Sequence, residues 1–146
     1  MDKKFDVVIV GTGAAGLYAA LNFPESVNIL LVSKRELQLS NSSLAQGGVA
    51  CVLDTVHDSY KLHITDTLIA GKYKNTLSAV EKLVTEGPSD VLKIKDLGVD
   101  FDLNEDGTMC KTLEAGHSRN RIVHHKDSTG KAIVDGLIAK VTQLKN

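Results

Sequence analysis

Near the amino end, Gly11-Thr12-Gly13-Ala14-Ala15-Gly16 has the spacing by which a backbone can bind a diphosphate. Gly11 can turn sharply out of a strand, Gly13 puts no Cβ in the way of a pyrophosphate, and Gly16 lets a helix lie close to the sheet. The first N–H groups of that helix have no internal partners, so they point at the anion. A second stretch with chemistry in it runs from Glu114 to Asp127. It holds His117, Arg119, Arg121, His124, His125 and Lys126, with acids only at its two ends. The plain reading is a solvated basic loop. The functional reading is a mouth for a small dicarboxylate, because guanidinium and imidazolium donors make charge-assisted bonds to carboxylates.

These groups need elements to hold them. Phe5 to Val10, FDVVIV, is a short β-branched run that suits a parallel strand buried on both faces. Ala14 to Phe23 is rich in helix formers and stops at Pro24, and Val27 to Val32, VNILLV, is a second such strand. Residues 5–32 therefore form one βαβ unit with the glycine fingerprint at its first turn. An acid that bonds ribose hydroxyls is expected about 20 residues on. Here the strand ends at Ser33-Lys34, and the first acid, Glu36, is already in the loop. A Lys there could face a 2′-phosphate, so the fingerprint alone leaves NADP and FAD open.

Residues 33–50 form a long irregular segment, which in a compact domain is usually functional. Helical spacing returns across 54–97. Tyr60, Ile64 and Leu68 share one face up to Gly71, Asn75 caps a helix through Glu86, Gly87-Pro88 breaks it, and Ser89 to Leu97 makes another. Asn104 to Gly107, NEDG, is a turn between two short extended pieces inside the segment 99–127, and 129–144 is a closing helix. Asp127 to Gly130 reads as its N-cap and first turn.

The net charge of −1 and the lack of aromatics among the cations argue against nucleic acid. Cys51 and Cys110 match no metal or CxxC spacing, so no metal site is expected and both read as free structural thiols of a reducing cytoplasmic interior. The apolar run that ends at Gly11 is too short for a membrane span or a signal peptide. A soluble intracellular protein is expected.

Beyond the fingerprint, Asn41-Ser42-Ser43-Leu44-Ala45-Gln46-Gly47-Gly48-Val49-Ala50, together with Ser33-Lys34, resembles the FAD-binding region of one group. That group contains L-aspartate oxidase and the flavoprotein subunits of succinate dehydrogenase and fumarate reductase. Leu68-Ile69-Ala70-Gly71, Glu114-Ala115-Gly116-His117-Ser118, Arg121 to Asp127 and Ser128-Thr129-Gly130 are similar to the aspartate oxidases in particular. The resemblance spans nearly the whole chain.

It implies a fold, a cofactor and a reaction. The fold would be a truncated Rossmann-like FAD-binding domain with a parallel sheet, followed by the start of an α+β capping region. Thr12 to Gly16 would hold the pyrophosphate beside Gly11, and Ser33 and Lys34 would lie by the adenosine ribose. Asn41 to Gly48 would wrap the flavin, with Gly47 and Gly48 admitting close contact to its ring. The dehydrogenases carry a flavin-linking His where this chain has Asn41, so FAD would be held non-covalently. Glu114, matched to the acid that receives the substrate's α-ammonium, and His117 would be the substrate-site residues. The plainer alternative for Glu114 is an ion pair with a neighbouring Arg. The implied reaction is oxidation of L-aspartate to iminoaspartate, with O₂ or fumarate as electron acceptor. Quinolinate synthase would take the product toward NAD. The family's members are several times longer, so a fragment is expected that lacks turnover by itself and binds FAD weakly or not at all. A dicarboxylate dehydrogenase and a non-catalytic nucleotide-binding module remain alternatives.

Overall fold

The computed structural model describes residues 4–146, so the basic start at Met1 to Lys3 lies outside them. Two parallel strands, β1 (Val7–Val10) and β2 (Ile29–Val32), pair in register Val7 to Ile29 through Val10 to Val32. Helix α1 (Ala14–Leu21) connects them, which gives the βαβ unit. The alternation of both strands departs from burial on two faces. Val8, Val10, Leu30 and Val32 are exposed, while Val7, Ile9, Ile29 and Leu31 are half-buried. Among the described residues the helices cover only one face of this sheet.

A second sheet follows, which the sequence pattern did not suggest. It is antiparallel, in the order β3 (Val49–Ala50), β5 (Ile122–Val123), β4 (Lys111–Thr112). Its strands are two residues long, too short to leave a periodicity. Asn104 to Gly107 turns the chain between Leu103 and Met109, with Gly107 at φ 80°.

Helix α2 (Tyr60–Ala70) starts later than Asp54, capped by the Ser59 hydroxyl, which accepts from Leu62 N–H. Its one buried side chain is His63, not Tyr60, Ile64 or Leu68. Helix α3 (Leu77–Asp96) runs unbroken through Gly87-Pro88, with Thr76 rather than Asn75 at its N-cap. A proline inside a helix removes one hydrogen bond and crowds the carbonyl one turn back. Here Val80, Val84, Pro88 and Val91 form one buried stripe at helical spacing, and that burial outweighs the local break.

Helix α4 (Thr129–Val141) packs along α1. Leu17, Val134 and Leu137 form one buried cluster; Cys51, Val91, Val99, Phe101, Met109 and Val123 form another. Ile94 and Ile133 touch both, so one continuous core joins the βαβ unit to the antiparallel sheet. No helix among the described residues is long and apolar enough to cross a membrane.

Candidate functional site

The fingerprint lies at the β1-to-α1 junction. Gly11 ends the strand at φ 112°, a conformation other residues rarely adopt. A Cβ on Gly16 would lie 2.1 Å from the Gly11 carbonyl oxygen, so only glycine lets α1 start this close to the turn. Ala14 and Ala15 form the first turn of α1, and Thr12 is buried, donating its hydroxyl to Ser33 Oγ at 3.0 Å. That bond ties the fingerprint to the end of β2, where Lys34 projects into solvent.

A cleft of about 610 Å³ opens at this junction. Gly11, Thr12 and Gly13 line it from one side, Ser33 and Lys34 from a second, Asn41 and Ser42 from a third. The Ser42 hydroxyl accepts from Ala14 N–H at 3.1 Å, so the helix start and the loop present their polar groups to one space. The cradle suits a dinucleotide: beyond the Ala14 N–H, which Ser42 occupies, the remaining unpaired N–H groups of the helix start meet hydroxyls and a Lys, with no acid among the lining residues. Arg35, Leu39 and Ser40 also line it, and the sequence reading did not single them out. Arg35 stands beside Lys34, and that doubled charge was the signal available.

The loop Asn41 to Gly48 turns at Asn41 to Leu44 and then runs over the start of α4. Gly130 donates its N–H to the Ala45 carbonyl at 3.0 Å, and a Cβ on Gly130 would lie 2.0 Å from the Ser42 carbonyl oxygen. Thr129 is buried and accepts from His125 N–H. Helix capping alone therefore does not explain Ser128-Thr129-Gly130. Ser128 is the N-cap without a side-chain cap bond, and Thr129-Gly130 seats α4 against the loop. A smaller cleft of about 220 Å³ lies here, lined by Ala14, Ser42, Ala45, Gly47, Gly48 and Gly130 among others. Gly48 owes its small size to β5, because a Cβ there would meet Val123 O at 2.5 Å. Gly47 faces open space, with Glu114 Oε2 3.9 Å from its Cβ position. Ser43 bonds within the turn to Ser40, while Leu44 and Gln46 are exposed.

Glu114 is thus exposed beside the loop, and among the described residues it forms no ion pair. Gly116 turns the Glu114 to Ser118 segment at φ 85° against Ala70 of α2. The expected basic mouth is largely neutralised, however. Arg121 is completely buried; its Nε and Nη2 donate to the two Asp58 oxygens at 2.8 Å each, and its Nη1 donates to Asp66. His124 Nδ1 meets Asp102 at 3.0 Å, and His125 lies 3.5 Å from Asp100. These acids are distant in sequence, so a count within the segment missed them. Only Arg119 and Lys126 of its cations remain exposed.

Burial works to raise the carboxyls of Asp58 and Asp66, and the Arg121 hydrogen bonds overcome it and hold both below the usual range. The same bonds, against burial, push Arg121 up. His63 lies beneath this group with its ring centroid 5.6 Å from that of His117. Burial first, then the Arg121 charge, lowers its pKa to about 4. Cys51 is buried, which pushes its thiol up to about 12 and makes it unreactive.

Residues 6–145 match the family model described as FAD binding domain. The L-aspartate oxidase of Clostridium perfringens is 46% identical over 100% of this chain, which covers 33% of that protein. That of Acinetobacter baylyi is 44% identical over 97% of this chain and 26% of its own length. Among solved structures, a variant of the E. coli quinol fumarate reductase FrdA superposes with TM-score 0.91 at 28% identity, covering 97% of this chain and 24% of that one. Mycobacterium smegmatis Sdh1 in complex with UQ1 gives 0.83 at 31% identity, covering 91% of this chain and 23% of that one. The chain spans about a third or less of the relatives it matches. With a glycine-rich strand-to-helix junction and a family match over almost all of its residues, the chain belongs to the FAD-binding-domain family.

Proposed function

We propose that the chain forms the FAD-binding front of an L-aspartate oxidase, which converts L-aspartate to iminoaspartate. FAD, bound non-covalently, would supply the chemistry by accepting a hydride from the substrate's α-carbon. The protein's part is position and charge. Thr12 to Gly16, Ser33 and Lys34 hold the nucleotide end, Asn41 to Gly48 cover the flavin end, and Glu114 and His117 meet the substrate. The observation that carries this reading is the approach of Glu114 to Gly47, which brings an acid to the flavin loop. An α-ammonium is what separates aspartate from succinate, and a carboxyl group is its natural partner. In this reading O₂ or fumarate removes the electrons, and quinolinate synthase uses the product.

The structural likeness to a fumarate reductase favours a dicarboxylate dehydrogenase as the second reading. Asn41 weighs against it, because an amide cannot form the covalent flavin link of those enzymes. The test is peroxide formation by the FAD-loaded protein carrying this chain, given L-aspartate or succinate. Losing a charged hydrogen bond is worth about 1.5–3 kcal/mol. Glu114→Gln should therefore lower kcat/KM for aspartate by roughly 10- to 100-fold. Oxidation of succinate but not aspartate, or yellow colour that survives acid precipitation, would refute the proposal.

A further inference from the structure

His117 is held by a group whose hydrogen bonding allows the ring one arrangement. Its Nδ1 lies 3.1 Å from Nη1 of Arg121. A guanidinium has only donors, so Nδ1 must be the acceptor and the ring proton must sit on Nε2. Arg121 cannot turn aside to release it. Its other nitrogens are engaged by Asp58 in a two-point fork, and the same Nη1 is also held by Asp66.

Asp66 holds the loop as well as the arginine. Its Oδ2 accepts from both the backbone N–H and the hydroxyl of Ser118, each at 2.8 Å. The residue next to His117 is therefore anchored to α2 by the carboxylate that helps fix Arg121. On its other side the His117 ring meets His63, which is buried in α2. Ring position, ring face and tautomer are thus each set by a separate contact.

We propose that Arg121, Asp58 and Asp66 act as a positioning unit that locks His117 as the Nε2–H tautomer, making it a hydrogen-bond donor at the site rather than a proton acceptor. Taken with the substrate reading above, on which this part rests, the Nε2–H would donate to a carboxylate oxygen of the dicarboxylate. The exposed cations of the segment are then not required for that contact, and the buried Arg121 acts through the imidazole without touching substrate.

The test is nitrogen NMR on the full chain with ¹⁵N-labelled histidine and arginine, with the His117 signal identified by its loss in His117→Gln. The expected result is a His117 Nδ1 shift at the unprotonated extreme, an Nε2 shift at the protonated extreme, and a coupling across the Arg121–His117 hydrogen bond. An averaged pair of shifts, or a protonated Nδ1, in the unmutated protein overturns the lock, and no variant is needed to decide it. Arg121→Lys has no fork to hold Asp58 and His117 together. It should shift His117 toward averaged values while His57, His124 and His125 stay in place. An unmoved His117 signal in a folded Arg121→Lys protein also overturns the proposal. Adding L-aspartate or succinate to the FAD-loaded protein that carries this chain separates the two claims. Movement of the His117 Nε2–H supports the donor role, whereas a locked ring that ignores both ligands leaves the positioning unit standing and refutes the donor role.

Discussion

Lowering the pH from 7 to 4 should destabilise the fold through one residue, His63. Its side chain is buried, its Nδ1 has no partner among the described residues, and its pKa is held at about 4 by burial and by the nearby Arg121 charge. In the unfolded chain the same ring takes a proton near 6.5. Between those values the unfolded state binds one proton more than the folded state, so stability falls as the pH falls. The slope approaches about 1.4 kcal/mol per pH unit, and the full window from 6.5 to about 4 costs roughly 3 kcal/mol. Asp58 and Asp66 stay ionised below the usual carboxylate range in the fold, so their contributions are lost only below that window. Urea unfolding followed by circular dichroism at pH 7, 6, 5 and 4.5 would measure the slope. His63→Phe keeps an aromatic ring over His117 and removes the titrating group, so its slope should be shallower by that amount. Equal slopes for the two proteins would refute the assignment, and so would a flat profile in the unmutated one.

Two further outcomes follow from the contacts around the cradle and the buried arginine. Gly16→Ala puts a methyl 2.1 Å from the Gly11 carbonyl, so α1 must move; about 1–3 kcal/mol of stability and FAD retention should be lost together, read by thermal unfolding and flavin fluorescence. Arg121→Met leaves buried Asp58 and half-buried Asp66 without their cation and should cost about 3–5 kcal/mol in urea unfolding, where a loss below about 1 kcal/mol would mean the pair is solvated.

Not all of this architecture was equally open to the sequence. The strand, glycine turn, helix and strand of residues 7–32 are contiguous, and Gly11 by its φ and Gly16 by its approach to the Gly11 carbonyl answer to local steric rules, whereas Gly13 makes room for Ser42 of the distant loop. Helix α3 misled because Gly87-Pro88 is a strong local stop signal. The stripe Val80, Val84, Pro88 and Val91 that overrides it counts only once a core exists to bury it. The second sheet was hidden for a related reason: its strands are two residues long, too short for a periodicity, and β3 finds β5 only across more than seventy positions.

By itself the sequence determined the strand-to-helix turn at Gly11 to Gly16, because Gly11 and Gly16 act on the backbone at their own positions. The tertiary structure decided which charges are available. Arg121 looks like a substrate ligand in the chain, but in the fold it is enclosed by Asp58 and Asp66, more than fifty residues away. Coulomb energy depends on distance in space and on burial, and neither can be read from sequence spacing.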